Sequence, residues 1–118
     1  MRLLIFIICL AILLGGILSP IPPYSPFPHS DKVMHLLGFG AVSLTARMAF
    51  IRAPAWLLWS TLLIFAPLSE VLQHIVVSPF RNFSWLDIFA NLIGVVLAVM
   101  SWWVLTLLYT RWQARKTK

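Results

Sequence analysis

Apolar side chains run almost unbroken over residues 2–19, 33–52, 55–77 and 86–109, while polar positions gather in the connections and near one end of the last three runs. Each run is close to the roughly 20 residues that a helix needs to cross a bilayer's hydrocarbon core. The pattern therefore predicts an all-α fold, an integral membrane bundle of four transmembrane helices. The first run has the look of a secretory signal, with Arg2 ahead of it. It lacks a small-x-small cleavage site and is followed by prolines, so a retained helix is expected. Between the first two runs, Ser19 to His29 holds five prolines in eleven residues. That density forbids a helix and predicts an extended, stiff strap over about 20–30. Pro54 suits a first helical turn, and Pro67, inside the third run, should kink it and free a carbonyl.

Composition strengthens the membrane reading. Of 118 residues, 61% are hydrophobic and only 10% charged, and the mean hydropathy is +0.94. A soluble domain carries about a quarter charged residues, so this chain lacks the polar surface to cover a core in water. The net charge of +6 raises the question of nucleic acid, but the basic residues flank apolar runs and do not form a solvated face, so no nucleic-acid partner is expected. Cys9, the lone cysteine, excludes an intrachain disulfide and a cysteine-based metal site. With four crossings, Arg2, Arg47, Arg52, Arg111, Arg115, Lys116 and Lys118 share one side and only Lys32 and Arg81 the other. That asymmetry predicts cytoplasmic termini, with the strap and the 78–85 connection facing outward. Trp56, Trp59, Tyr109 and Trp112 would form an inner aromatic belt, and Phe80, Phe83 and Trp85 part of an outer one.

The acidic residues Asp31, Glu70 and Asp87 come from different segments, and depth decides whether they meet. At about 1.5 Å per residue, Glu70 stands roughly 8 Å below the outer boundary of a core about 30 Å thick, with His35 about 6 Å and Asn91 about 7 Å below it. Asp87 shares a helical face with Asn91, and Gln73 and His74 lie one turn from Glu70. All should converge near the outer leaflet. A charge at membrane depth costs at least about 2.5–3.5 kcal/mol, so such residues face a bundle interior or a wet cavity. Glu70 must pair with Lys32 or Arg81, or hold a proton. Structural alternatives exist for single residues: Asp31 as a helix cap, Ser84-x-x-Asp87 as a helix start, Lys32 as a headgroup anchor, His35 as a buried imidazole. Gly38, Gly40 and Gly94 are read first as allowing close helix approach.

The blocks Asp31-Lys32-x-x-His35-x-x-x-Phe39, Glu70-x-x-Gln73 and Arg81-x-x-Ser84-x-x-Asp87-x-x-x-Asn91-x-x-Gly94 occur in this order. Together they resemble the VanZ-like family of small bacterial membrane proteins, whose namesake is linked to low-level teicoplanin resistance. The resemblance spans residues 31 to 94 and implies that 1–118 is a single multi-pass domain with a polar cluster, placed in the bacterial inner membrane. It implies no particular reaction.

The expected function is binding or processing of a membrane lipid phosphate or lipid-linked cell-envelope precursor at the outer leaflet. Arg81 offers a planar fork for phosphate and Lys32 a point charge. Glu70, His35 and Asp87 are the catalytic candidates. Asp31, Lys32, Gln73, Arg81, Ser84 and Asn91 are the substrate-binding ones. The alternative is a non-enzymatic structural or interaction subunit whose charges neutralise one another, and these residue types do not decide between an enzyme and a binder. With histidines neutral, Asp31, Glu70 and Asp87 against Lys32 and Arg81 leave a net −1, which disfavours a bare phosphate. The spacing carries no recognised metal signature, so neither metal nor other cofactor is predicted.

Overall fold

A computed structural model describes residues 1–21, 24–79 and 82–118. Within them the chain is helical with no strand: α1 (Arg2–Leu18), α2 (Ser30–Ala49), α3 (Ala55–Val77) and α4 (Trp85–Lys116). α3 and α4 are long and apolar enough to cross a membrane, and α1 is a shorter apolar helix. α2 fails that test because it carries Asp31, Lys32, His35 and Arg47 within its twenty residues.

The helix bounds follow local chemistry. Pro54 ends the turn before α3, with ψ 130, and the helix begins at Ala55. α3 then continues through Pro67 to Val77; the missing N–H there leaves the Leu63 carbonyl without its usual helical donor. α2 starts earlier than expected, at Ser30, directly after His29 in a left-handed conformation with φ 62. It also stops earlier, where Phe50 leaves helical geometry. α4 runs past 109 to Lys116, since nothing in Tyr109–Lys116 breaks a helix. The described part of the strap is non-helical up to His29, as proline demands, and its last residue, Ser30, already belongs to α2; Pro22 and Pro23 lie outside the described residues.

Each helix buries one stripe. α2 turns in His35, Phe39, Val42, Ser43 and Ala46; α3 Leu62, Ala66, Ser69, Glu70, Gln73 and Val77; α4 Asp87, Asn91, Gly94, Val95 and Ala98. These are the three- and four-residue steps of a packed helix face. Leu13, Ile17, Phe39, Val42, Ala46, Leu62, Ala66 and Val95 form the apolar core. The outside is covered with large apolar side chains, among them Ile12, Ile64, Leu68, Ile75, Phe89 and Leu105. Buried polar and charged side chains sit inside beside that apolar core, while many of the largest exposed side chains are apolar.

The most extensive contact is α2 on α4. It depends on glycine: a Cβ at Gly94 would strike the Leu36 carbonyl oxygen and meet the Gly40 backbone nitrogen at 3.0 Å. Gly38 instead faces Leu13 of α1, whose Cδ1 is 2.9 Å from where a Cβ would stand. At the other end of α2, Arg47 donates to the Ala53 carbonyl at 2.8 Å, with its guanidinium 5.6 Å from the Trp102 ring centroid. It clips the α2–α3 connection to α4.

Candidate functional site

The α2–α4 crossing brings the first turns of both helices together beside the last turns of α3. Ser84 caps α4: its Oγ accepts from the Asp87 N–H at 3.3 Å. In a reciprocal capping box the acid would return a bond to the Ser84 N–H. Here Glu70 of α3 does so, Oε1 accepting from that N–H at 2.9 Å. The Asp87 carboxylate is thereby left for the pocket. Its Oδ1 lies 3.0 Å from Lys32 Nζ and its Oδ2 3.6 Å from His35 Nε2.

Lys32 is shared between two acids, with Asp31 Oδ2 at 2.6 Å from its ammonium. Both residues precede the apolar run that begins at Val33. Burial works to raise the Asp31 pKa, but the hydrogen bond and charge of Lys32 outweigh it and hold the carboxyl below its ordinary 3.8. For Lys32, burial pulls down and is outweighed by Asp31 and Asp87, which lift it above 10.5.

Deeper in, Asn91 joins three helices. It is fully buried, its Nδ2 donating to the Ala66 carbonyl at 3.3 Å and to Ser69 Oγ at 3.4 Å. Its Oδ1 is 2.9 Å from His35 Nδ1. A carbonyl can only accept, so the amide orientation is settled, and His35 Nδ1 must carry the proton that it donates to Asn91. Ser69 is a member of the cluster that the sequence pattern does not single out. Its position four before Gln73 and three after Ala66, on the face that carries Glu70, is the signal that marks it.

Asp31, Lys32, His35, Ser69, Glu70, Ser84, Asp87 and Asn91 thus form one connected cluster. His35, Glu70 and Asp87 are all nine-tenths or more buried, and one ligand-type atom from each lies within 4.8 Å of the others. Gln73, also buried, turns away from the cluster, and its Nε2 donates to the Ile17 carbonyl at 2.8 Å. That satisfies one of the carbonyls that the end of α1 leaves open. His74 is exposed and lies edge-on to Phe83, apart from the cluster as well. Arg81 and Phe80 lie outside the described residues.

Beside the cluster runs a groove of about 270 Å³ between α1 and α2. Ile12, Leu13 and Gly16 on one side and Met34 and Gly38 on the other make it apolar, and Asp31 and His35 line it too. Gly16 leaves it open, because a Cβ there meets nothing within 4 Å. Comparison with protein-family models, curated proteins and solved structures finds no match for this chain.

Proposed function

We propose that all four helices cross a bacterial inner membrane, termini inward, in a VanZ-like multi-pass domain, and that the cluster holds the phosphate headgroup of a lipid or lipid-linked envelope precursor at the outer leaflet. The observation that carries this reading is the continuity between groove and cluster: an apolar slot between α1 and α2 shares Asp31 and His35 with a charged site. An amphiphile has that pairing of parts, a chain for the slot and a head for the charges. Lys32 meets the phosphate as a point charge, and the guanidinium of Arg81, next in sequence to the described 82–84 segment, has the chemistry to add a fork. Glu70, His35 and Asp87 supply the acid and base groups for any chemistry on the head. The apolar exterior and the exposed Trp56, Trp85, Tyr109 and Trp112 at the helix ends support the membrane placement.

The pairing of Lys32 with both Asp31 and Asp87 favours a second reading, in which the charges only lock the helices together. One experiment separates the two. Thermal unfolding is followed in micelles with and without phosphatidylglycerol, for the wild type, Lys32→Ala and Arg81→Ala. Headgroup binding requires a lipid-dependent stabilisation that both variants lose while still inserting. A packing network requires both variants to melt lower by the same amount with or without the lipid. Orientation is checked by fusing a periplasm-dependent reporter enzyme after Lys118; activity there would invert the topology.

A further inference from the structure

The Asn91 amide fixes more than a hydrogen bond. Because His35 donates from Nδ1, a neutral imidazole presents its Nε2 lone pair to Asp87 Oδ2, 3.6 Å away. Two electron-rich atoms then face each other inside a pocket where both residues are nine-tenths buried. Either a proton on one of the two atoms or a metal cation between them turns that contact from repulsion into attraction. From the third helix the Glu70 carboxylate comes within 4.8 Å of both.

The geometry points to a divalent metal site formed by His35, Glu70 and Asp87, one ligand from each of α2, α3 and α4. Metal–donor bonds of about 2.0–2.2 Å set neighbouring donors roughly 3–3.6 Å apart, the separation that His35 Nε2 and Asp87 Oδ2 already have. Binding draws Glu70 inward to complete the set. Every ligand is also held from behind, as functional metal ligands are. Asn91 orients the His35 ring, the Ser84 N–H holds Glu70 Oε1, and Lys32 takes Asp87 Oδ1 so that Oδ2 faces inward. One imidazole with two carboxylates suits Zn²⁺ or Mn²⁺ better than Mg²⁺ or Ca²⁺, which prefer all-oxygen shells.

The site deepens the headgroup reading, and only its use toward phosphate rests on that reading. Asp31, Glu70 and Asp87 against Lys32 give the connected cluster a formal charge of −2, with His35 neutral, which repels phosphate; a divalent ion brings the same cluster to neutrality and leaves open coordination positions for an anionic oxygen.

The test uses the full chain, purified in detergent, stripped with chelator and titrated with Zn²⁺ and with Mn²⁺ in the absence of added lipid. One equivalent should bind, raise the melting temperature and give an X-ray absorption spectrum with nitrogen and oxygen donors and a single imidazole. His35→Ala and Asp87→Asn should weaken binding more than tenfold, and Asn91→Leu by about 10–100-fold, while His29→Ala and His74→Ala leave it unchanged. Should the ligand variants not fold, the wild-type spectrum alone decides. No stoichiometric binding, a spectrum without imidazole, or equal affinity in His35→Ala would overturn the proposal. A phosphatidylglycerol response that survives chelation would overturn the metal's part in it and leave headgroup binding standing. Metal binding with no lipid response would do the converse.

Discussion

Gly94→Ala is the sharpest probe of the α2–α4 crossing. The new methyl strikes the Leu36 carbonyl oxygen and lies 3.0 Å from the Gly40 nitrogen and 3.2 Å from the Leu36 carbonyl carbon. These are backbone atoms and cannot swing aside as a side chain would. Relief requires the two helices to part by roughly 1 Å. The His35–Asn91 bond, 2.9 Å in the native protein, then stretches beyond hydrogen-bond range. Overpacking costs about 1–3 kcal/mol and a buried donor left unpaired about 1–3 kcal/mol, offset by about 1 kcal/mol of helix propensity gained over glycine. The expected net loss is about 1–5 kcal/mol. Equilibrium unfolding in mixed micelles measures it, and the His35 imidazole resonances report whether Nδ1 has lost its partner. Gly40→Ala, whose Cβ would sit at an ordinary 3.4 Å from the Gly94 oxygen, should cost less than about 1 kcal/mol. Gly16→Ala, with open space around it, should be neutral or slightly stabilising. If Gly94→Ala unfolds at the wild-type midpoint, or no earlier than Gly16→Ala, the two helices do not approach as closely as this packing requires.

Three further outcomes are expected. Gln73→Ala strips the Ile17 carbonyl of its donor and should cost about 1–3 kcal/mol, with faster amide exchange confined to the end of α1; protection unchanged there would refute the latch. Ser84→Ala removes the α4 cap and should cost about 1 kcal/mol, read as fraying of the first turn by amide exchange. The Asp31–Lys32 pair should contribute stability that is level from about pH 5 to 9. Asp31, with its folded pKa below 3.8, loses its share as pH falls through that value, and Lys32, raised above 10.5, loses its share as pH rises through its own. A wild-type minus Asp31→Asn stability difference that slopes inside this window would contradict the pairing.

Much of the fold is written in local chemistry. α3 keeps its expected limits, 55–77, because proline punctuates both sides of it. α4 runs past its expected end because hydropathy, which stops at 109, reports where apolar residues stop and says nothing about where a helix must. The four-span expectation is only partly matched: length and apolarity qualify α3 and α4, whereas the polar residues that make α2 interesting also lower its hydropathy. In the site, depth arithmetic alone groups His35, Glu70, Asp87 and Asn91. What it cannot supply is direction. Ser84-x-x-Asp87 reads as a self-contained cap, and only tertiary packing reveals that Glu70 takes over the acid's half. The donor set of His35, Glu70 and Asp87 has one member per helix, so no spacing along the chain could display it.

The borrowed cap at Ser84 has a consequence for the order of assembly. α4 is synthesised after α2 and α3, and until it docks, Lys32 and His35 on α2 and Glu70 on α3 stand in a half-built vestibule. Its arrival delivers Asp87 and Asn91 and, in the same movement, an amide for Glu70 to grip. A nascent chain that ends at α3 therefore holds no site at all, and α4 serves as its keystone.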